Sequence, residues 1–311
     1  MRPVYNMAEL HYPVMLSECI EMLNIKPCGT YIDGTFGRGG HSREIAKRLS
    51  GGKLICIDRD ISAVEYGKKT FSEFSNVEFI KGDFCDIPKL VCEKADGILL
   101  DLGVSSPQLD EAERGFSYMS DGPLDMRMDR EQSLTAKDIV NGRSFEELRR
   151  ILSDYGEERY ASKIASAIVR ERDKGEIATT SQLVDIIKSA MPAAALREKQ
   201  HPAKRSFQGL RIAVNDELGE IERFLDALPD MLKPLGRAVI ITFHSLEDRL
   251  VKHSFRTAEK PCTCPPSIPV CVCGKVPTMR VVSSKPILPT EDEVEKNPRS
   301  RSAKVRVAER I

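Results

Sequence analysis

Thr30-Tyr-Ile-Asp-Gly-Thr-Phe-Gly-Arg-Gly-Gly-His-Ser42 is the stretch on which the fold of this 311-residue chain turns. A short apolar run ends in an acid, Asp33, passes through Gly34, Gly37, Gly39 and Gly40, and enters the helical pattern Arg43-Glu-Ile-Ala-Lys-Arg-Leu49. A strand, a turn and a helix in immediate succession predict the opening of an α/β fold. Glycine has no Cβ, so the backbone can bend sharply and approach a ligand, while the free N–H groups of a helix start suit an anionic or carboxylate-bearing group. The interval Gly37-Arg-Gly39-Gly40 is not the GxGxxG of a dinucleotide turn. A tight turn without a ligand is the plain alternative.

Reading outward, an amphipathic helix over residues 11–24 precedes this strand, with Met15, Cys19, Ile20 and Leu23 on one face. Downstream come a strand, Lys53-Leu-Ile-Cys-Ile57, closed by Asp58; a helix from Ile61 to Phe74; a strand, Val77-Glu-Phe-Ile-Lys81; the turn Gly82-Asp83-Phe84; a short helix near Pro88 to Cys92; and a strand, Gly97-Ile-Leu-Leu100, closed by Asp101. The strands are continuously apolar, as in a parallel sheet covered on both faces.

From Gln108 to Phe207 the pattern is helical only. Ser144-Phe-Glu-Glu147 and Thr179-Thr-Ser-Gln182 are capping boxes, and Tyr160, Ile164, Ala167 and Ile168 form a further stripe. The α/β rhythm resumes with one long helix from Gln208 to Leu228, then a strand, Arg237-Ala-Val-Ile-Ile-Thr-Phe243, and a helix opened by Ser245 with Asp248. Two β-like runs, Met279 to Ser283 and Ala303 to Ala308, predict a terminal antiparallel pair. The expected organisation is a core in two parts, 1–107 and 208–311, interrupted by an all-helical insertion at 108–207 that is a candidate RNA-recognition domain.

Forty-seven basic and forty-seven acidic residues leave no net charge, so nucleic acid would be held by local patches and not by a whole-molecule field. An apolar fraction of 41% supports a substantial core. No run approaches the roughly eighteen apolar residues of a membrane span, and the N-terminus has no charged-then-apolar signal segment. Nine cysteines without such a signal predict a reduced, cytoplasmic setting.

In an open parallel sheet, ligands bind beyond the carboxyl ends of the strands. Asp33, Asp58, Asp83 and Asp101 stand at four successive elements on that edge. Each alone could be a turn residue. An acid ending the second strand can accept from both hydroxyls of a ribose, which makes Asp58 the ribose candidate. Asp83 and Phe84 offer a carboxylate and an apolar ring for an adenine, and Asp101 with Leu102-Gly-Val-Ser-Ser-Pro-Gln108 closes the pocket. Adenosine with a carboxylate-bearing tail describes S-adenosylmethionine better than a pyrophosphate-bearing dinucleotide.

Four long segments carry a family resemblance: Asp33 to Ser42, Asp96 to Asp110, Arg114 to Met128 and Phe243-His-Ser-Leu-Glu-Asp-Arg249, with Asn297 to Arg306 in addition. Through them the chain resembles, over nearly its whole length, the bacterial 16S ribosomal RNA small-subunit (cytosine-N4)-methyltransferases. The resemblance implies an α/β class I (Rossmann-like) methyltransferase core with a doubly wound, mostly parallel sheet and an inserted helical domain. It implies S-adenosyl-L-methionine as cofactor, 16S rRNA or the small ribosomal subunit as partner, and methylation of a cytidine amino group in the decoding region. Carried over by motif, the cofactor contacts fall on Gly39, Gly40, His41, Asp58, Phe84, Asp101 and Gln108, beside Asp33 and Asp83 from the strand-end reading. Methylation of adenine N6 or of DNA, or a non-catalytic ribosome-assembly factor, are the alternatives.

Transfer to an amino group needs no covalent intermediate; the site must orient the nitrogen and accept its hydrogens. Amino-methyltransferases use a polar-Pro-Pro-aromatic loop, of which this chain keeps Ser106 and Pro107, with Gln108 in place of the second proline and no aromatic at once. Ser106 is therefore the candidate amine acceptor, with Phe116 or Tyr118 as candidate stacking surfaces. His244 and Arg249 are candidate substrate contacts. Lys204 and Arg205 belong to a basic cluster with Arg197, Lys199, His201 and Arg211, and Arg299, Arg301, Lys304 and Arg306 form a second. Cys262-Thr-Cys264 and Cys271-Val-Cys273 suggest a four-thiolate structural zinc site, free or redox-paired thiols being the other reading.

Overall fold

The structure, a computed structural model, describes residues 12–265 and 270–311, and of Ser106 it describes the backbone. The chain divides into two compact units, Met1–Gly103 with Gly219–Ile311, and Val104–Leu218.

The first unit is built on a seven-stranded sheet of β1 (Thr30–Asp33), β2 (Lys53–Asp58), β3 (Val77–Lys81), β4 (Ala95–Asp101), β5 (Leu232–Thr242), β6 (Met279–Val281) and β7 (Lys304–Arg310). Their order is β3-β2-β1-β4-β5-β7-β6. β1 to β5 run parallel, and β7 runs antiparallel to both of its neighbours. The expected terminal antiparallel pair is β6 with β7, and the class I methyltransferase fold is the one found.

Both side-chain parities of the central strands are buried, so helices must cover both faces. Tyr31, Leu54, Cys56, Leu99, Val239 and Ile241 pack with Met15, Cys19, Leu23 and Ile45 on one face. Ile32, Ile55, Ile57, Ile98, Leu100 and Ile240, pointing the other way, are as deeply buried. Chain order reverses between β1 and β4, and the crossovers leaving these two strands diverge there. That divergence opens the crevice in which this fold class binds ligands.

Arg306, which sequence assigns to an RNA-facing cluster, instead lies buried in β7. Its Nε donates to Asp248 Oδ1 at 2.6 Å, and Lys304 Nζ donates to Asp248 Oδ2 at 3.2 Å. The acid of Phe243 to Arg249 thus fastens the following helix, Ser245–Glu259, to the antiparallel strand.

In the second unit every described element is helical. Thr135, Ser144 and Thr179 cap Ala136–Gly142, Phe145–Arg150 and Thr180–Ala190 through reciprocal capping boxes. Leu148, Leu152, Ile164, Ile168, Leu183, Ile187, Phe207 and Leu210 form its core. The long helix expected at 208–228 is two helices, Lys204–Asn215 and Glu217–Met231, broken at Asp216 with φ of 49°. The apolar stripe runs through this break without a glycine or proline to mark it. The unit spans Val104–Leu218, beginning four residues before and ending eleven residues after the expected 108–207. Among the described residues no helix is long and apolar enough to cross a membrane.

Candidate active site at the carboxyl edge of the sheet

The turn after β1 is wired to every neighbouring strand. Gly34 N–H donates to Leu99 O at 3.0 Å, Phe36 N–H to Ile57 O at 3.0 Å, and Asp101 N–H to Thr35 Oγ1 at 2.6 Å. Asp33, almost fully buried, accepts from Ser42 Oγ at 2.6 Å and from Thr35 N–H at 3.1 Å. Burial raises its pKa to about 6 against the pull of these donors. Asp33 therefore ties the end of β1 to the helix Gly40–Ala46, and both of its oxygens are engaged within the protein.

The glycines divide by role. Gly39 has φ of 73°, and a Cβ there would stand 2.5 Å from Phe36 and 2.7 Å from Phe71. A Cβ on Gly40 would stand 2.2 Å from Pro13. These two serve packing as much as ligand approach, a correction to the simple view of a glycine cradle. Gly37, with φ of 54°, meets only Thr35 O, at 3.9 Å; its missing Cβ leaves space. Gly39→Ala should therefore cost about 2–4 kcal/mol of stability from left-handed strain plus overpacking, and Gly37→Ala only about 1 kcal/mol. Urea unfolding of the two variants separates them.

Asp58 ends β2 with each oxygen holding one backbone donor: Gly37 N–H on Oδ2 at 2.7 Å and Asp60 N–H on Oδ1 at 2.8 Å. Burial raises its pKa to about 6, the backbone donors opposing. A carboxylate oxygen accepts more than one hydrogen bond. The two fixed bonds orient the group while leaving a lone pair on each oxygen for a vicinal diol.

Asp83 does not reach into this space: it is ion-paired with Arg59, which also holds Glu220. The placement corrects its weighting as an adenine partner. Phe84 is buried edge-on to Phe224, ring centroids 5.8 Å apart. A Cβ on Gly34 would stand 3.0 Å from Phe84 Cβ, so that glycine admits the ring beside the turn.

Asp101 ends β4. Its Oδ1 is enclosed and has no hydrogen-bond partner among the described residues. Burial first, then the charges of Asp33 and Glu247, raise its pKa to about 8. His41 lies beside it, Nδ1 3.9 Å from Asp101 Oδ2. His41 Nε2 is 3.0 Å from Val14 O, a carbonyl that only accepts, so the proton sits on Nε2 and the lone pair of Nδ1 faces Asp101. Burial lowers the His41 pKa to about 4, which keeps it neutral. An orphaned, enclosed carboxyl oxygen beside a neutral ring is a place for a hydrogen-bond donor, best a cation.

At the end of β5, His244 is the cap of Ser245–Glu259, a position expected for Ser245. Its Nδ1 accepts from Glu247 N–H at 3.4 Å, and its Nε2 lies 3.1 Å from Glu247 Oε1. Glu247 also accepts from Phe243 N–H at 2.7 Å. Sequence reading missed Glu247, which brings a further, deeply buried acid to this edge; the signal was the capping-box spacing from His244. Arg249 is exposed on the same helix.

In the helical unit, Ser105 to Gln108 is not an open loop. It is the capped start of the helix Ser106–Asp110, with Pro107 in the first turn and Gln108 Oε1 accepting from Ser105 N–H at 2.9 Å. The capping role that competed with ligand binding is thus filled by Gln108 and Ser105. The side chain of Ser106 lies outside the described residues. Phe116 is buried in that unit's core, and Tyr118 stacks on His201 with centroids 4.7 Å apart. Phe116 is thus closed to a base, whereas half-buried Tyr118 has one face covered by His201. Lys204 is exposed at the start of Lys204–Asn215, and Arg205 Nη1 donates to Glu157 O at 3.3 Å.

The model of the MraW methylase family matches residues 8–311. The chain is 52% identical to the ribosomal RNA small subunit methyltransferase H of Clostridium botulinum, over 97% of this chain and 99% of that protein. It is 50% identical to the protein of the same name from Halothermothrix orenii, over 97% and 98%. A crystal structure of a "putative rRNA-methylase" from Clostridium thermocellum aligns over 95% of this chain and 96% of that one, at 9% identity and a TM-score of 0.46.

Proposed function

The chain belongs to the MraW methylase family and is an S-adenosyl-L-methionine-dependent rRNA methyltransferase, and from that premise we propose that it methylates the N4 amino group of a cytidine in the decoding region of 16S rRNA. The observation that carries the site assignment is the pairing of Asp58, with one lone pair free on each oxygen, with Asp101, whose enclosed Oδ1 lacks a donor. One accepts a ribose diol, and the other accepts an ammonium. The residues fit S-adenosylmethionine on this ground.

The cofactor, when bound, supplies an electrophilic methyl group on a sulfonium. The chain's own part is positioning. Asp58 is held by Gly37 and Asp60 so that it can orient the sugar. Phe84, packed on Phe224, limits where an adenine ring can lie. Neutral His41 and Asp101 border the other end. The cytosine amino nitrogen is a weak nucleophile because its lone pair is delocalised into the ring. Ser106, at the start of the capped helix, is the residue to accept an amino hydrogen and localise that pair, and Gln108, whose oxygen is committed to the cap, holds the turn. A target base must leave the RNA stack to reach such an edge, and phosphate contacts from residues such as Lys204 and Arg205 make binding fall with salt.

Purified protein with labelled cofactor and small ribosomal subunits, or protein-free 16S rRNA, should yield N4-methylcytidine by mass spectrometry of the nucleosides. N6-methyladenine as the product would overturn the reading. Ser106→Ala should lower kcat about 10–100-fold with cofactor affinity unchanged. Equal turnover by this variant removes Ser106 from the chemistry.

A further inference from the structure

Between the helix ending at Glu259 and β6 starting at Met279 the described residues form no regular element, and none of the described residues from Arg256 to Thr278 is buried. Val270, Val272 and Val276 stand 71–74% exposed. Its root is closed by Thr278 N–H on Ala258 O at 2.9 Å and by Val281 N–H on Glu259 Oε1 at 2.9 Å. Hydrophobic burial does not order the tip. Yet four cysteine sulfurs, from positions separated by up to eleven residues, meet there.

Cys271 Sγ lies 3.5 Å from Cys262 Sγ, 3.9 Å from Cys264 Sγ and 3.4 Å from Cys273 Sγ. All four Sγ atoms fall within 4.8 Å of one another. A tetrahedron of thiolates around one zinc, with Zn–S of about 2.3 Å, has edges of about 3.8 Å. The cysteines are all free thiols, and one sulfur, Cys271, is near three others at once, which a set of disulfide pairs does not require. Four thiolates so close repel one another in the absence of a cation. A multi-iron cluster would hold its four cysteines further apart than this, whereas a single soft d¹⁰ ion fits the span. Val272 N–H donates to Cys264 Sγ at 3.4 Å, a backbone bond of the kind that stabilises a coordinated thiolate.

We propose that Cys262, Cys264, Cys271 and Cys273 bind one structural zinc ion that orders the surface loop next to β6. The ion takes the place of the missing core: it cross-links the two CxC arms, Cys262–Cys264 and Cys271–Cys273, and fixes the presentation of the exposed valines. None of the four cysteines is among the residues assigned to cofactor and base, so loss of the ion leaves cofactor binding intact.

The test uses the full chain purified without chelator. Elemental analysis should find one zinc per chain. The Cys262→Ser/Cys271→Ser variant should lose it, with circular dichroism and S-adenosylmethionine affinity unchanged. Should that variant not fold, exchange of wild-type zinc for Co²⁺ decides: a thiolate-to-cobalt charge-transfer band with intense tetrahedral ligand-field bands supports the site. Removing the metal should speed tryptic cleavage after Lys275 by about tenfold or more. Absence of zinc after growth with added zinc, stoichiometric iron in its place, zinc retained by the double variant, or disulfides among the four cysteines by peptide mass would overturn the proposal.

Discussion

Asp58→Ala should weaken S-adenosylmethionine binding by about 10²–10⁴-fold, because hydrogen bonds to a charged acceptor are each worth about 1.5–3 kcal/mol and the substitution removes two. It also releases Gly37 N–H and Asp60 N–H, so the turn loses the link that orients it. Asp58→Asn should fall between wild type and alanine, since the amide keeps one acceptor and turns a donor toward one of the two backbone N–H groups. Because the Asp58 pKa is about 6, wild-type affinity should fall below that pH as the carboxyl takes up a proton. Calorimetric titration with the cofactor, beside circular dichroism to show an intact fold, makes the measurement. Affinity of the alanine variant close to that of wild type would remove the ribose role from Asp58.

The position of Asp58 is legible in the sequence because it depends on the strand end alone. An acid at the end of the second strand of a parallel sheet has one place to go, and β2 ends where the apolar run ends. For Asp83, in a position that looks equivalent, the same argument does not foresee its ion pair. The cause is Arg59, one residue past β2, which pairs with Asp83 and Glu220; Glu220 is far away in sequence, and no local pattern announces the triad. The glycine turn is legible as a turn, but the packing that fixes its glycines is not, since the neighbours that forbid a Cβ at Gly39 and Gly40 are Phe36, Phe71 and Pro13. Those are tertiary contacts. The capping boxes at Ser144 and Thr179 were legible because the motif is local, and the break at Asp216 was not, because its two flanking helices share an unbroken apolar stripe.

The basic clusters show a similar limit. Charge counts do not distinguish Lys204, which is exposed, from Arg306, which is buried against Asp248. Glu247 went unnoticed for the opposite reason. It reads as an ordinary capping residue, and only the convergence of β1, β4 and β5 brings its charge near enough to raise the pKa of Asp101.

Asp101 should make cofactor binding depend on pH in a way that no other residue of the site reproduces. Its folded-state pKa of about 8, set by burial and then by Asp33 and Glu247, means that the carboxyl is protonated in the ligand-free chain near neutrality. An ammonium placed against Oδ1 favours the carboxylate, so binding releases a proton. Affinity should rise up to about tenfold per pH unit between pH 6.5 and 7.5. It should level off near pH 8, where an α-amino group, with pKa of about 8, begins to lose its own charge. His41, with pKa of about 4, stays neutral throughout, and Asp33 and Asp58, at about 6, have largely titrated below this window. The stability of the ligand-free protein carries the opposite sign. An acid whose pKa is raised by folding holds a proton that the unfolded chain gives up, so stability is present at low pH and declines as pH rises from about 4 through about 8. Asp101→Asn should flatten both profiles and weaken binding at pH 8 by about 10²-fold, the loss expected when one member of a buried ion pair is removed being at least about 3 kcal/mol before the cost of ionising Asp101 is subtracted. Calorimetry in two buffers of different ionisation enthalpy counts the released proton directly. Equal heats in the two buffers, or an unchanged pH profile in Asp101→Asn, would show that the ammonium is held elsewhere.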